Sequence, residues 1–508
     1  MSTASPYVPP LPEEALLVRR WRGSAPLYLV GGAVRDWLLK RPMRDLDFAL
    51  PQGAIAFAQQ VARRLNGAFF VLDAQRDVAR VLLPSDGRSR VQVLDFAAYR
   101  GPDLEADLRH RDFTVNAMAV DPLQPQRLVD PTGGLRDLKD KVLRLAYPRA
   151  LHDDPLRVLR AVRLAVSLDF RLTPDTRAAL PQAAPLLANT AAERRCEELF
   201  HILEQPRAAA ALRVLAQVDA LQALWPELAA LRAQPASAAD EQPWTRALTA
   251  IHMLHRLAQA LAPSYNPEHA ANFALGLVSW RLGRYRQALA EHWAARLHPH
   301  RTKFALAVWA AGYHNVGLLQ PGPPADLAAR SARLAEARAE ALRLSRAEIR
   351  YLGRVVQHHA AVLAWAAHGH IPSAREIHRF YRAAGEAGVD AALVALAVAL
   401  ARASLAPRHQ IWQQHVEVVR ALWEAWWEQH DQVIAPPPLL RGDEVIALVG
   451  RTAGPWVGQV LRALHEAQAA GEVTTRAQAE AWVKAWAQRH LATGPNGNGP
   501  TAARRPAA

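Results

Sequence analysis

The sequence predicts an α+β protein in which a small mixed α/β head is followed by a long, all-helical neck, body and tail. Strand-like and helix-like patterns alternate only within about the first 145 residues. Beyond about residue 150, the chain is dominated by Ala, Leu and Arg, which favour helices. The 508 residues also exceed the size that one hydrophobic core supports, so length alone indicates about three domains.

The first third of the chain predicts a lead-in and a head. Residues 1–26 are Pro-rich and indicate a loose segment with one short helix, and residues 27–145 are assigned to the head. Within the head, short apolar runs predict strands and amphipathic stretches predict helices. The predicted strands are 27–30, 46–50, 68–72, 78–83 and 90–96, and the predicted helices are 33–40 and 54–66.

The rest of the chain is expected to be helical, with breaks at Pro-containing stretches such as 262–267, 320–324 and 435–438. We divide it into a neck, a body, a tail and a Gly/Pro/Ala/Arg-rich end that is predicted to be disordered. Their ranges are 146–205, 206–430, 431–491 and 492–508.

The charge of the chain is compatible with a nucleic-acid partner. There are 61 Lys and Arg residues against 47 Asp and Glu residues, a formal net charge of +14. Such a surplus attracts phosphate backbones without selecting a sequence. A genome that places Arg at many surface positions explains the same surplus equally well, so charge alone does not establish an RNA partner.

Two further observations exclude other classes of protein. The chain has a single cysteine, Cys196, which excludes an internal disulfide framework and a Cys-rich zinc site, and we expect no disulfide-linked partner. No signal-peptide pattern opens the sequence, and no apolar run reaches about 18 residues without charge. We therefore expect a cytoplasmic protein with no membrane partner.

Two aspartates in the head predict a metal site. Asp45 and Asp47 are two apart in a predicted strand, so their side chains point to the same face. Adjacent carboxylates repel each other unless a cation lies between them, and Mg²⁺ prefers oxygen ligands that it shares with nucleotide phosphates. Two such ions can activate a ribose hydroxyl and stabilise a leaving pyrophosphate. An isolated pair of this kind is more often a solvated surface pair.

A phosphate-binding turn precedes the aspartates. Gly31 and Gly32 lie between a predicted strand and a predicted helix, where backbone N–H groups can approach a triphosphate and the helix dipole favours its charge. Arg35 lies one turn into the helix and can reach the same phosphates. The alternative is an ordinary tight turn with a surface pair between Arg35 and Asp36.

Four segments, in order over about 135 residues, resemble the motifs of the class II tRNA nucleotidyltransferase and bacterial poly(A) polymerase family. The segments are 31–36 with 44–48, 111–118, 130–138, and 153–157 with Arg160 and Arg163.

The resemblance implies a DNA polymerase β-like nucleotidyltransferase head and a metal-dependent reaction. Asp45 and Asp47 would bind two Mg²⁺ ions, and Asp95 would be the third carboxylate and a candidate general base. The implied substrates are CTP and ATP, and the implied partner is RNA, above all the 3′ end of tRNA.

The resemblance also implies nucleotide contacts. Arg111 and Asp112 would hold the phosphates and ribose of the incoming nucleotide, and Asn116 would lie one turn further on. A carboxylate that accepts a hydrogen bond from the 2′-hydroxyl distinguishes NTP from dNTP. Asp112 alone is equally readable as a helix N-cap.

A second group of residues is predicted to read the base. If Asp154 and Arg157 lie on a helix, their spacing of three puts them on one face. A carboxylate accepts from an exocyclic amine and Arg donates to ring acceptors, so the pair can recognise C or A. Without the resemblance, a surface ion pair is the simpler interpretation. Arg160 completes the predicted nucleotide site, whereas Asp153 and His110 replace the family's usual Glu and Arg.

The product is predicted less directly. Full CCA addition is the leading expectation, but only residues 101–106 separate Arg100 from Asp107, which leads into the motif at Arg111. This short segment resembles that of CC-adding members, whereas many CCA-adding relatives have a longer one. CC-only addition, A-only addition and poly(A) synthesis stay open. An inactive RNA-binding scaffold is the alternative from a different class.

The body resembles a degenerate metal phosphohydrolase domain of the His-Asp type. At His314-Asn315 an amide stands where that domain has a metal-binding Asp, and 391–403 contains no acid. We interpret this region as a structural remnant. In the tail, the turn at 454–458 is either a phosphate contact at a helix start or a helix-turn signal only.

Overall fold

The computed structural model describes residues 10–84, 91–236, 241–264, 268, 272–298, 301–402 and 409–491. The chain separates into two compact units, Met1–Ala229 and Ala230–Ala508. The finer division into neck, body and tail stays a prediction. The expected disordered end at 492–508 lies outside the described residues.

The first unit contains the predicted head and neck. Every strand and helix predicted between 27 and 96 is present, with boundary shifts of a few residues. Its strands are β1 Tyr28–Val30, β2 Asp45–Leu50, β3 Ala68–Asp73, β4 Val78–Leu82, β5 Val93–Ala98, β6 Ala119–Val120, β7 Leu128–Val129, β8 Val142–Leu143 and β9 Arg171–Leu172. Its helices are α1 Glu13–Trp21, α2 Gly32–Leu38, α3 Ala54–Leu65, α4 Leu104–Arg109, α5 Gly134–Lys139, α6 Ala150–Asp153, α7 Arg157–Leu168, α8 Pro174–Ala183, α9 Ala192–Leu203, α10 Ala208–Gln217 and α11 Pro226–Ala230.

The head is built on a seven-stranded mixed sheet in the order β3-β4-β5-β2-β1-β6-β7. Strands β2 and β5 are parallel, and the other neighbours are antiparallel. In one row across the sheet, Arg80 of β4 lies opposite Asp95, Asp95 opposite Asp47, and Asp47 opposite Val30. Because directly paired residues share a face, the three charged side chains of this row project together.

The alternation of side chains along β2 determines which face of the sheet presents the aspartates. Leu46 and Phe48 are buried, and the Phe48 ring stacks on Phe96 of β5 with centroids 5.2 Å apart. Phe57 of α3 meets Phe96 edge to face. Since side chains alternate along a strand, burying these rings places Asp45 and Asp47 on the opposite face.

The second unit contains helices and one small hairpin, β10 Arg296–His298 with β11 Arg301–Thr302. Among the described residues beyond 150, this hairpin and strand β9, which pairs with β8, depart from the all-helical prediction. The helices are α12 Pro243–Ala260, α13 Phe273–Leu282, α14 Arg286–Ala294, α15 Lys303–Tyr313, α16 Leu327–Ala341, α17 Arg346–Ala367, α18 Ala374–Ala384, α19 Ala387–Arg402, α20 His409–Trp427, α21 Gly442–Val449, α22 Pro455–Ala469 and α23 Arg476–Leu491.

No single helix in the described part of the chain is long and apolar enough to cross a membrane. Helices α18 and α19 reach the required length and hydropathy only as a pair, and that pair is bent by 105°.

The His-Asp-like segment of the body is buried. His314 and His359 face each other with ring centroids 6.1 Å apart, and the Nδ1 of each ring lies within hydrogen-bonding distance of a carbonyl of its own helix region. The Asn315 side chain donates to the carbonyl of Pro243 across 2.9 Å. These side chains thus connect α15 and α17 and tie the loop after α15 to α12.

Burial of these histidines predicts an acid-sensitive body. Burial lowers the pKa of His359 to about 4, and burial together with His359 lowers the pKa of His314 well below its usual range. The unfolded chain takes up these protons below about pH 6.5, whereas the folded body does not. The contribution of these histidines to stability is therefore complete above about pH 6.5 and is lost progressively as the pH falls below that value.

Urea unfolding of wild type and His359→Leu at pH 8 and pH 5.5 checks this expectation. The variant is expected to lose less of its stability between the two pH values than wild type. Equal losses in both proteins would show that His359 is not responsible.

Candidate active site

Asp45 and Asp47 form the acidic centre of the head. Asp47 is partly covered and Asp45 is exposed at the start of β2. Burial, then Asp95, then Asp45 raise the pKa of Asp47 to about 6 despite the opposing charge of Arg111. Burial and Asp95 also raise the pKa of Asp45. Both carboxylates thus lie where negative charge is costly, and a bound cation would relieve that cost.

The donor set fits Mg²⁺. Within the residues that the structure describes, no group of three or more His, Cys, Asp or Glu side chains is arranged to hold a metal ion. Asp45 and Asp47 offer two carboxylates, which matches an ion that usually keeps several waters and takes its remaining ligands from substrate phosphates. A cation with a complete protein cage would not suit this pair.

The turn after β1 lies against Asp47. Gly31 has a φ of +72°, a conformation that favours glycine. A Cβ atom at this position would lie 3.0 Å from Arg111 Nη1 and 3.2 Å from Asp47 Oδ2. Gly31 therefore keeps the backbone free to approach a phosphate between one cationic and one acidic side chain.

Arg35 and Asn116 connect this turn to the next motif. Arg35 donates to both carboxylate oxygens of Asp36 and, across 2.6 Å, to the side-chain oxygen of Asn116. Asn116 in turn donates to Asp112 Oδ1 across 3.0 Å. Arg35 thus forms the ion pair with Asp36 and the hydrogen bond to Asn116 at the same time. The second contact holds α2 against residues 112–116.

The network continues into the neck. Arg160 on α7 contacts Asp112 Oδ2 at 3.2 Å and Glu198 on α9 at 3.0 Å. Arg163 binds the other oxygen of Glu198 at 2.9 Å. Although burial opposes it, Arg160 lowers the pKa of Asp112, and Arg163 and Arg160 lower the pKa of Glu198. Both carboxylates are therefore ionised and join the head to two neck helices.

The predicted helical spacing of Asp154 and Arg157 is wrong. Helix α6 ends at Asp153 and α7 begins at Arg157, with Asp154 extended at φ −146° and ψ 97°. Pro155 explains this, since the residue before a proline is excluded from the helical region. The two residues remain close because the Arg157 N–H donates to the Asp154 carbonyl across 3.0 Å.

Each of these two side chains keeps a buried polar atom without a partner among the described residues. The atoms are Asp154 Oδ1, an acceptor, and Arg157 Nε, a donor. The other oxygen of Asp154 binds Arg194 at 3.0 Å, and the Arg157 guanidinium also donates to the carbonyl of His110. An unpaired buried acceptor and donor are costly unless a ligand satisfies them.

Tyr147 organises the residues around this pair. Its hydroxyl donates to Asp153 across 2.8 Å and accepts from Arg157 across 3.1 Å, and its ring packs against that of His110. Asp153, whose side chain is shorter than the family's usual Glu, therefore has Tyr147 as a hydrogen-bond donor. Sequence reasoning missed Tyr147, and it also missed Arg80, which forms an ion pair with Asp95.

An acidic pair beside a glycine turn, with basic side chains around it, is an arrangement expected of a nucleotidyltransferase. The family model described as poly A polymerase head domain matches residues 27–144. A second model, described as the probable RNA and SrmB-binding site of polymerase A, matches residues 169–231.

Relatives extend this likeness over nearly the whole chain. A CC-adding tRNA nucleotidyltransferase of Geobacter sulfurreducens is 30% identical over 487 residues, covering 95% of this chain and 96% of the relative. An A-adding tRNA nucleotidyltransferase of Deinococcus radiodurans is 33% identical, covering 95% and 98%. The chain therefore belongs to the class II tRNA nucleotidyltransferase family.

Solved structures agree on the fold. A CCA-adding enzyme in complex with ATP matches with a TM-score of 0.58 at 22% identity, covering 93% of this chain and 94% of the other. A Thermotoga maritima CCA-adding enzyme complexed with tRNA matches with a TM-score of 0.53 at 22% identity, over the same shares of the two chains.

Proposed function

We propose that this chain is a template-independent tRNA nucleotidyltransferase that transfers CMP, AMP or both from CTP and ATP to the 3′ end of a tRNA. The observation that carries the proposal is the placement of Asp47, which shares one face of β2 with Asp45, opposite Val30 and against the Gly31 turn. The names of the relatives support tRNA as the partner. Because tRNA, CTP and ATP are present together in the cytoplasm, we place the activity there.

The reaction joins the RNA 3′-hydroxyl to the α-phosphorus of the nucleotide and releases pyrophosphate. Asp45 and Asp47 would hold two Mg²⁺ ions, whose charge lowers the pKa of the attacking hydroxyl and stabilises the pyrophosphate. Backbone N–H groups at Gly31 and Gly32 and the guanidinium of Arg111 would bind the triphosphate.

The remaining residues would orient the nucleotide and the acceptor RNA. We assign Asp112 and Asn116, which Arg35 and Arg160 hold in place, to the ribose side of the site. Asp95 remains the candidate general base, although both of its oxygens accept hydrogen bonds from Arg80 in this structure. Asp153 would act through Tyr147, to which it is hydrogen-bonded.

Base selection is assigned to Asp154 and Arg157. The unpaired Asp154 Oδ1 would accept from the exocyclic amine that C and A share, and Arg157 would donate to a ring acceptor. U and G lack that amine at the equivalent position, so they would leave the buried acceptor unsatisfied. Such a loss discriminates more strongly than a difference in shape.

Asp154→Ala is expected to reduce kcat/KM for CTP and ATP by about 10- to 100-fold while UTP and GTP change much less, because one hydrogen bond to a charged group is lost. Single-nucleotide incorporation with each NTP measures this ratio. Asp175→Asn, at an exposed position on α8, is the control. An equal loss for all four nucleotides would instead indicate a structural role for Asp154.

A product limited to CC is the second candidate. Only residues 99–103 connect β5 to α4, and Asp103 caps that helix by accepting from the Ala106 N–H across 2.8 Å. The Arg100 N–H is also held, by Asp107 at 3.0 Å. This short, tied connection favours the CC-adding alternative over full CCA addition.

Incorporation on three RNAs tests the proposal: a tRNA transcript lacking CCA, the same tRNA ending in CC, and an unrelated RNA. CTP and ATP are supplied separately and together. Addition confined to tRNA is expected, with two C residues or a complete CCA deciding between the candidates. Long A tails on any RNA would indicate a poly(A) polymerase, and no incorporation would favour the inactive scaffold.

A further inference from the structure

Arg80 forms a two-pronged ion pair with Asp95 on the catalytic face of the sheet. Arg80 Nε donates to Asp95 Oδ1 and Nη2 donates to Oδ2, each across 2.8 Å. The guanidinium and carboxylate planes match in such a pair, which fixes the direction of the carboxylate as well as neutralising it. Both oxygens of Asp95 are therefore engaged.

The position of this pair connects it to the acidic centre. Asp95 is the direct neighbour of Asp47 on the parallel strand β5, and Arg80 is the direct neighbour of Asp95 on β4. Neighbouring strands are about 4.8 Å apart, so the backbone of Arg80, two strands away, lies about 10 Å from the backbone of Asp47. The charge of Asp95 reaches Asp45 and Asp47, since it raises the pKa of both.

We propose that Arg80 is a positioning residue that holds Asp95 away from the metal, so that the resting site offers a divalent cation only Asp45 and Asp47. The inference rests on the metal site assigned under the proposed function. Without Arg80, Asp95 is free to become a third carboxylate ligand, and one positive charge near the cation is lost. Both changes tighten metal binding.

An alternative explanation is a cross-strand ion pair that stabilises the edge of the sheet and nothing more. In that case, loss of Arg80 lowers the stability of the head and leaves the affinity for metal unchanged. The affinity for Mn²⁺, which has a spectroscopic signal, separates the two explanations without recourse to activity.

The experiment is a titration of the full chain with Mn²⁺, in which electron paramagnetic resonance measures the free ion. Arg80→Met is expected to bind Mn²⁺ about three- to thirty-fold more tightly than wild type. Arg80→Lys, which keeps the charge without the two-pronged geometry, is expected to lie between them. Arg76→Met, at an exposed position in the turn before β4, is expected to match wild type.

The double variant Arg80→Met with Asp95→Asn tests whether Arg80 acts through Asp95. The proposal expects the tighter binding to disappear in that background. Persistence of the increase would show an effect of charge alone and would overturn the positioning role, as would unchanged affinity in Arg80→Met.

Asp47→Ala separates this inference from the proposed function. Loss of Mn²⁺ binding in Asp47→Ala, with no change in the Arg80 variants, would overturn the inference and leave the metal site standing. Unchanged binding in Asp47→Ala would overturn both. Circular dichroism checks that each variant is folded, and Arg80→Lys keeps the test decisive if Arg80→Met does not fold.

Discussion

Asp47→Asn is expected to lower nucleotide incorporation by at least about 10³-fold, because a metal site contributes several kcal/mol to stabilising the transition state. Asp47 carries this effect because it lies opposite both the Gly31 turn and Asp95. Asparagine keeps the size of the side chain but removes the charge that, under the proposed function, would hold the cation.

Radiolabelled CMP and AMP incorporation on a tRNA transcript measures the loss, and filter binding measures the affinity for the RNA. Asp140→Asn is the matched control, because that side chain is 57% exposed and its closest ion-pair contact is 3.8 Å. The variant at Asp47 is expected to retain tRNA binding. If Asp47→Asn incorporated nucleotides as fast as wild type, the assigned metal site would be contradicted.

Glu198→Ala is expected to destabilise the first unit by about 2–4 kcal/mol. Glu198 is 6% exposed and accepts from Arg160 and Arg163, so its removal takes this carboxylate from Arg163 and leaves Arg160 paired with Asp112 alone. Both arginine side chains are partly exposed to solvent. The expected loss of stability is therefore below the largest values found when a fully buried ion pair is broken.

Urea unfolding followed by circular dichroism measures the change in the free energy of unfolding. Glu197→Ala is the matched control, since Glu197 is exposed one residue earlier on the same helix, and its effect should stay within about 0.5 kcal/mol. A similarly small decrease in the free energy of unfolding for Glu198→Ala would show that the ion pairs of Glu198 do not stabilise the fold.

The same network predicts a pH dependence. The pKa of Glu198 is lowered in the folded state, chiefly by Arg163 and Arg160 acting against burial. Its contribution is therefore complete above the unfolded pKa near 4.5 and is lost as pH falls through the lower folded value. The stability difference between wild type and Glu198→Gln should shrink over that interval.

Local patterns were sufficient for the strands, the first helices and the aspartate pair of the head. Leu46 and Phe48 alternate with Asp45 and Asp47, and this two-residue period follows from strand geometry alone. The Gly31 turn was also predictable, because a glycine between a strand and a helix is a local signal. The helical assignment at Asp154 failed although Pro155 was a sufficient local warning.

The sequence by itself determined the α/β head, the helical remainder, the aspartate pair and the family. These depend on neighbours a few residues apart, or on motifs that remain recognisable whatever surrounds them. Only the tertiary structure decided that Arg80 occupies both oxygens of Asp95, that Tyr147 satisfies Asp153, and that Glu198 joins Arg160 to Arg163. Such contacts depend on strand register and helix packing across up to 38 residues of chain, and no local period encodes them.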